Sequence, residues 1–359
     1  LAEIIHVKIR GLPSSAQAKK DFLNALTSGP PGRMPYFEAS FGRRHLEHLL
    51  GAPEVAAGWP TGRTPLIRTP PEWSIRVSQA LGIGFITSAF IWELGRIYEP
   101  GPEGNDIYAG GSLRERADIR GADPAAVEEA MRRLATSARL ARSHDLATGF
   151  VIYGPLAIAQ FAMGLDHFCL ALYDDLDLVR SLLDAAIAVY VPLIESAARI
   201  GIDFLIISDA LCSKSGPMFD PKLIRELWLP TIQPYLDAAR SRNIPVGLHT
   251  DGDNSALLDD FVRVGFQFLH PIEPCDGVFD IYKVRERVQN RLALAGNIDI
   301  GGVLALGTPE QVHNDVLEHV RRLAPAGGYL CGSSHEISDA IPPENFEAMV
   351  QAIHDTNRD

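Results

Sequence analysis

The sequence of 359 residues predicts an α/β fold, a (β/α)8 TIM-type barrel over 81–359 behind an irregular N-terminal extension over 1–80 packed on it. Three observations carry that expectation. Short apolar runs alternate with helical stretches from Ile83 to the end, as parallel βαβ units require. Seven such runs can be counted, or eight if one more precedes Ile83. Polar residues gather where the runs end, not where they begin. An open doubly wound sheet is the second choice, but no GxGxxG follows an early strand, and no GxxxxGK[ST] appears.

Residues 1–80 are rich in Pro and Gly (SGPPGRMP, GWPTGRTPLIRTPPEW), with helical pieces over Ala16–Leu26 and Arg43–Leu50. The run Ile83–Ile91 reads as the first strand, and 101–120 as a loop around Gly110 and Gly111. Asp123-Pro124 opens a helix, with Asp as cap and Pro at the first helical position. The run 149–153 leads into helical Leu156–Tyr173 and Leu176–Arg199; 203–209 leads into Lys222–Arg240. Pro245–His249 leads into Ser255–Val264, and Phe266–Glu273 into Val278–Val288. Leu292–Asn297 precedes Thr308-Pro-Glu-Gln311, a capping box. Gly327–Cys331 precedes the last helix, Pro343–Thr356.

Composition narrows the function classes. A hydrophobic share of 46% and a charged share of 22% are those of a soluble globular protein with ample core. A net charge of -12 argues against nucleic-acid or anionic-membrane partners. No apolar run is long enough to span a bilayer. Four scattered cysteines suit a reducing cytoplasm without disulfides. No signal-peptide pattern opens the chain, and Leu1 in place of Met points to a trimmed start.

In a parallel barrel the site is built at the C-terminal strand ends. Here they read Tyr153-Gly154-Pro155, Ser208-Asp209, His249-Thr-Asp251, His270-Pro-Ile-Glu273, Asn297-Ile-Asp299 and Ser334-His335-Glu336. His249 and Asp251 are two apart, so on extended chain they share a side. With His335 they offer two imidazoles and a carboxylate, which is zinc-type ligation with room for substrate. The same residues without a metal are acid-base groups. Asp209 directly follows FLIIS at the mouth and reads as a substrate-positioning or acid-base carboxylate. Glu273, between two prolines, reads as an alternative ligand or base, or as a solvated loop carboxylate. His270, Asn297 and Asp299 read as structural, and Arg33, Arg43 and Arg44 as solvated charges. Cys212, Cys275 and Cys331 fall near strand ends but match no zinc-ribbon or CxxC spacing, so a thiolate ligand stays open.

The passages Gly154-Pro-Leu156, LDHFCLALYDDLDLVRSLLD, ISDALCSKSGPMFDPKLIRELWLP, HTDGD, HPIEP, LAGNIDIGGVLALGTPEQV, APAGGYLCGSSHEI and IPPENFEAM, in this order, resemble the uroporphyrinogen decarboxylase superfamily. The resemblance covers roughly 150–355 and implies a TIM-type barrel with its site at the C-terminal mouth. Genuine decarboxylases of the superfamily carry an arginine-rich RQAGRY-like segment near the N-terminus; this chain has RMPYFEASFGRR there. The second group resembled is the corrinoid-linked methyltransferases, similar to methylcobamide:coenzyme M methyltransferase, which hold zinc through an HxC pair and a later Cys. Here the pair becomes His249-Thr-Asp251 and the later Cys falls at His335, a departure at two of three ligands. Harder N/O donors leave a more Lewis-acidic metal, suited to an oxygen- or nitrogen-linked methyl donor. The resemblance thus implies a zinc-dependent enzyme removing a methyl group from a small O- or N-methylated compound and passing it to a corrinoid on a partner protein. A metal-free decarboxylase using Asp209 and His335 is the alternative. A non-catalytic binding protein on the same barrel is the third.

Overall fold

Parallel strands buried on both faces read as unbroken apolar runs, and it is runs such as FVIY and FLII that pair here. The computed structural model describes residues 8–29, 32–38, 40–52, 54–55, 69–101, 106–275 and 278–357. The Pro- and Gly-rich residues 58–68 lie outside these. In chain order the strands are β1 (Phe85–Phe90), β2 (Arg96–Pro100), β3 (Asp106–Gly111), β4 (Ala147–Tyr153), β5 (Phe204–Ser208), β6 (Cys212–Ser213), β7 (Gly216–Pro217), β8 (Val246–His249), β9 (Phe268–His270), β10 (Ala293–Ala295) and β11 (Tyr329–Leu330).

Seven strands form one sheet in the order β1-β4-β5-β8-β9-β10-β11, each neighbouring pair parallel. The order never reverses, as a doubly wound sheet would require. Tyr36 closes the ring. It bridges in parallel to Ile83, before β1, and to Cys331, after β11. Phe37 N–H donates to Cys331 O at 2.9 Å and Cys331 N–H to Pro35 O at 3.1 Å. The eighth stave anticipated before Ile83 is thus the short segment around Tyr36. Helices Pro124–Ser143, Leu176–Ile200, Pro221–Arg240, Leu258–Val264, Ile281–Val288 and Pro309–Leu323 return the chain between successive sheet strands. The Thr308–Gln311 capping box forms, and Asp123 accepts from Ala125 N–H at 3.0 Å.

Two expectations need correction. The loop expected over 101–120 contains β3, which pairs antiparallel with β2. The helix expected over Leu156–Tyr173 is two helices, Pro155–Met163 and Leu165–Asp174, bent by 107°. Gly164 at the break has φ +78°, open to glycine but not to most side chains. A Cβ on Gly111 would lie 2.2 Å from Gly164 N, so the foot of the hairpin packs backbone to backbone on the helix break. No single helix among the described residues is long and apolar enough to cross a membrane.

The barrel interior is plugged by phenylalanines. Phe85, Phe204 and Phe268 come from alternate staves, as barrel layers do. Phe22 closes the layer from helix Ser15–Leu26, its ring 4.3 Å from Phe85 and 5.0 Å from Phe204. The intervening staves carry glycine to make room: a Cβ on Gly149 would sit 2.3 Å from Phe204 Cζ, and one on Gly247 2.1 Å from Phe268 Cζ. Gly247→Ala should therefore overpack the barrel, at a cost of about 1–3 kcal/mol. Chemical denaturation checks this; an unchanged midpoint would mean that the Phe layer shifts freely.

Candidate metal centre

Strand β8 delivers His249 at its last position, and two residues on, Asp251 shares its side. His335 arrives from past β11, on a bend tied by Ser334 N–H to Ile298 O at 2.8 Å. The potential ligand atoms of His249, Asp251 and His335 all lie within 4.8 Å of one another. Asp251 Oδ1 is 3.6 Å from His249 Nε2 and 3.4 Å from His335 Nε2. Among the described residues this is the group of His, Cys, Asp and Glu side chains placed to share an ion, and it contains no sulfur.

The surroundings suit a ligand set. His249 Nδ1 is hydrogen-bonded to His270 Nδ1 at 2.9 Å, which leaves Nε2 to face Asp251. Burial pushes the His249 pKa down against the opposing pull of Asp251, and pushes that of His270 down further, with His249 adding to it. Burial thus favours the neutral form of both rings, the form that an imidazole ligand needs. His270, read as structural from its Pro271 neighbour, is the partner that orients His249, and only the fold reveals it.

The loop carrying Asp251 is held on two sides. Gly252 has φ +78°, and a Cβ there would lie 2.3 Å from the Ser213 carbonyl carbon. Glu273 Oε2 accepts from Gly252 N–H at 2.9 Å, while Lys214 Nζ lies 3.3 Å from Glu273 Oε1. Glu273 is thus placed on the loop backbone and not within the three-residue cluster. Asp209 lies apart from the cluster too, on the wall of the same cavity. Its Oδ1 accepts from Ala157 and Ala210 N–H at 2.6 and 3.0 Å, and its Oδ2 from Trp228 Nε1–H at 2.7 Å. Burial still outweighs these donors and pushes its pKa up to about 6. Burial likewise raises the Cys212 and Cys331 thiols to about 12.

The cluster opens on a cavity of about 520 Å³, with Asp209, Asp251 and Glu336 as its carboxylates. Glu336 also accepts from Ser40 Oγ, pinning the residue after His335 to the N-terminal segment. Among the described residues no Lys or Arg lines this cavity.

The family profile described as "Uroporphyrinogen decarboxylase (URO-D)" matches residues 95–356. A uroporphyrinogen decarboxylase of Alkalilimnicola ehrlichii is 27% identical over 192 residues, covering 51% of this chain and 48% of that protein. A methylated-thiol–coenzyme M methyltransferase of Methanosarcina mazei is 26% identical over 207 residues, covering 57% of this chain and 52% of that protein. The chain thus spans about half the length of the curated relatives it matches. In solved structures, a methyltransferase from Methanosarcina mazei superposes with a TM-score of 0.74 at 19% identity, covering 94% of this chain and 98% of that one. That likeness matches the closed barrel described above. With the profile spanning most of its length, the chain belongs to the uroporphyrinogen decarboxylase (URO-D) family.

Proposed function

We propose that this protein removes a methyl group from a small O- or N-methylated compound at a zinc ion held by His249, Asp251 and His335, and passes it to a corrinoid carrier. The observation that carries the reading is the N/O/N cluster facing a cavity that no Lys or Arg lines among the described residues. Uroporphyrinogen bears many carboxylates, and a site for it calls for convergent cations. The similarity to a methylated-thiol–coenzyme M methyltransferase adds support for methyl transfer, and the donor set, free of sulfur, favours an oxygen or nitrogen leaving atom over a thiol.

Zinc in this position would supply Lewis-acid polarisation of the heteroatom that loses its methyl. A reduced corrinoid on a partner protein would supply the nucleophile that accepts the methyl carbon, with the electron pair of the broken bond left on the heteroatom. A proton from water neutralises an alkoxide product. His270 keeps His249 presenting Nε2, and Glu273 holds the Gly252 backbone so that Asp251 faces both imidazoles. Asp209 fastens the helix Pro155–Met163, which lends Ala157, Gln160 and Phe161 to the cavity wall. We assign Glu273 and Asp209 to positioning.

Glu273→Ala should weaken zinc binding by about 10–100-fold, the range for residues that support ligands. Glu273→Gln keeps an acceptor for Gly252 N–H and should stay close to wild type. Competition with a chromophoric chelator measures both, and equal losses in the two variants would instead make Glu273 a ligand. The function itself is tested by mixing the zinc-loaded protein with reduced cobalamin and methoxyarenes, watching the absorbance of the methylated corrinoid. Carbon dioxide release from uroporphyrinogen, with no methyl transfer from any donor, would establish the decarboxylase alternative.

A further inference from the structure

The cavity has two unlike halves. On one side stand His249, Asp251 and His335. On the other, inward positions two apart carry apolar groups: Ala89 and Ile91 at the end of β1, and Val151 and Tyr153 on β4. Phe161 adds its ring, stacked on Tyr153 at 5.6 Å and 18°. A flat apolar wall of this kind accepts an aromatic ring.

The charges of the wall are of one sign. Asp209, Asp251 and Glu336 line it, and no Lys or Arg among the described residues does. The Arg96 guanidinium lies over the Tyr153 and Phe161 rings, at 4.7 and 4.3 Å from their centroids, without itself lining the cavity. With the methylated atom toward the metal residues, a carboxylate across the ring would lie on the apolar side, where it would lose its hydration and find no cationic lining residue among the described residues.

We infer that the methyl donor bears an aromatic ring and no carboxylate, with the ring against Tyr153 and Phe161 and the methylated atom toward His249, Asp251 and His335. The inference rests on the demethylation reading above and narrows its substrate class. It separates the members of a common chemical group: neutral methoxyphenols are substrates, and methoxybenzoates are not.

Calorimetric titration of the full chain, with and without zinc, tests this with 2-methoxyphenol and 4-methoxybenzoate as probes. The expected result is binding of 2-methoxyphenol in both forms, with 4-methoxybenzoate at least about tenfold weaker, the scale of one unpaired charge at a buried site. Phe161→Ala should weaken 2-methoxyphenol by about tenfold, and Tyr153→Phe, which keeps the ring, should leave it near wild type. Equal or tighter binding of 4-methoxybenzoate would overturn the inference, and its loss in Arg96→Ala would hand the carboxylate to Arg96. Failure of either form to bind 2-methoxyphenol would overturn it as well. Binding is read without turnover, so the expected preference without methyl transfer sinks the demethylation reading alone. Methyl transfer from 4-methoxybenzoate sinks this inference alone.

Discussion

His249→Ala and His335→Ala are each expected to weaken zinc binding at least about a hundredfold, because either leaves two ligands of a three-residue set. Wild-type protein should carry about one zinc after reconstitution, and its melting temperature should rise with zinc concentration, since an ion bound only by the folded chain stabilises it by mass action. Neither alanine variant should show that rise. His335→Cys separates ligation from proton transfer: a thiolate can replace imidazole on zinc, so this variant should keep the metal. A proton donor at His335 would instead leave zinc binding intact in His335→Ala. Elemental analysis and melting curves of the four proteins decide between these outcomes.

Asp209→Ala should cost about 3 kcal/mol, because it removes the acceptor of the Ala157, Ala210 and Trp228 N–H groups. Asp209→Asn should cost less, since its oxygen keeps two donors while its amide opposes Trp228 Nε1–H. The pH dependence has a definite sign. The folded pKa of about 6 lies above the ordinary 3.8, so the folded state holds the proton more tightly. That contribution is fully present below pH 3.8 and is lost as pH rises through 6, amounting to roughly 3 kcal/mol. The Asn variant lacks it, so the stability advantage of wild type over Asp209→Asn should shrink between pH 4 and 7. Urea denaturation across that range checks it; a constant difference would mean that Asp209 titrates normally.

Much of the barrel was legible because its strands are apolar runs ended by punctuation. FLIIS stops at Asp209 and VGLH at His249, and the caps Asp123 and Thr308 form where their spacing puts them. The pairing of His249 with Asp251 followed from the two-residue repeat of extended chain. Other features had weaker local signals. The stave around Tyr36 is a few residues long and is defined by what it pairs with, 295 positions away at Cys331. The β2–β3 hairpin leaves Ile97 and Ile107 exposed and surrounds itself with Gly and Pro, so its alternation reads as loop. Gly164 sits inside an apolar stretch that reads as one helix until the backbone of Gly111 is seen to press on it. His270 carries a Pro that masks its part in orienting His249, since that contact spans 21 residues and two strands. Tyr153 was legible as a strand end at the mouth, but Val151 was not, because in a strand buried on both faces an inward apolar residue looks like any other core residue.

The most direct measurement is zinc K-edge absorption on the zinc-loaded full chain. The spectrum expected is a shell of nitrogen and oxygen at about 2.0–2.2 Å with imidazole outer-shell scattering and no sulfur. A zinc–sulfur distance near about 2.3 Å would bring a cysteine such as Cys212 into the site. That result, or an unchanged spectrum in His249→Ala, would contradict the site made of His249, Asp251 and His335.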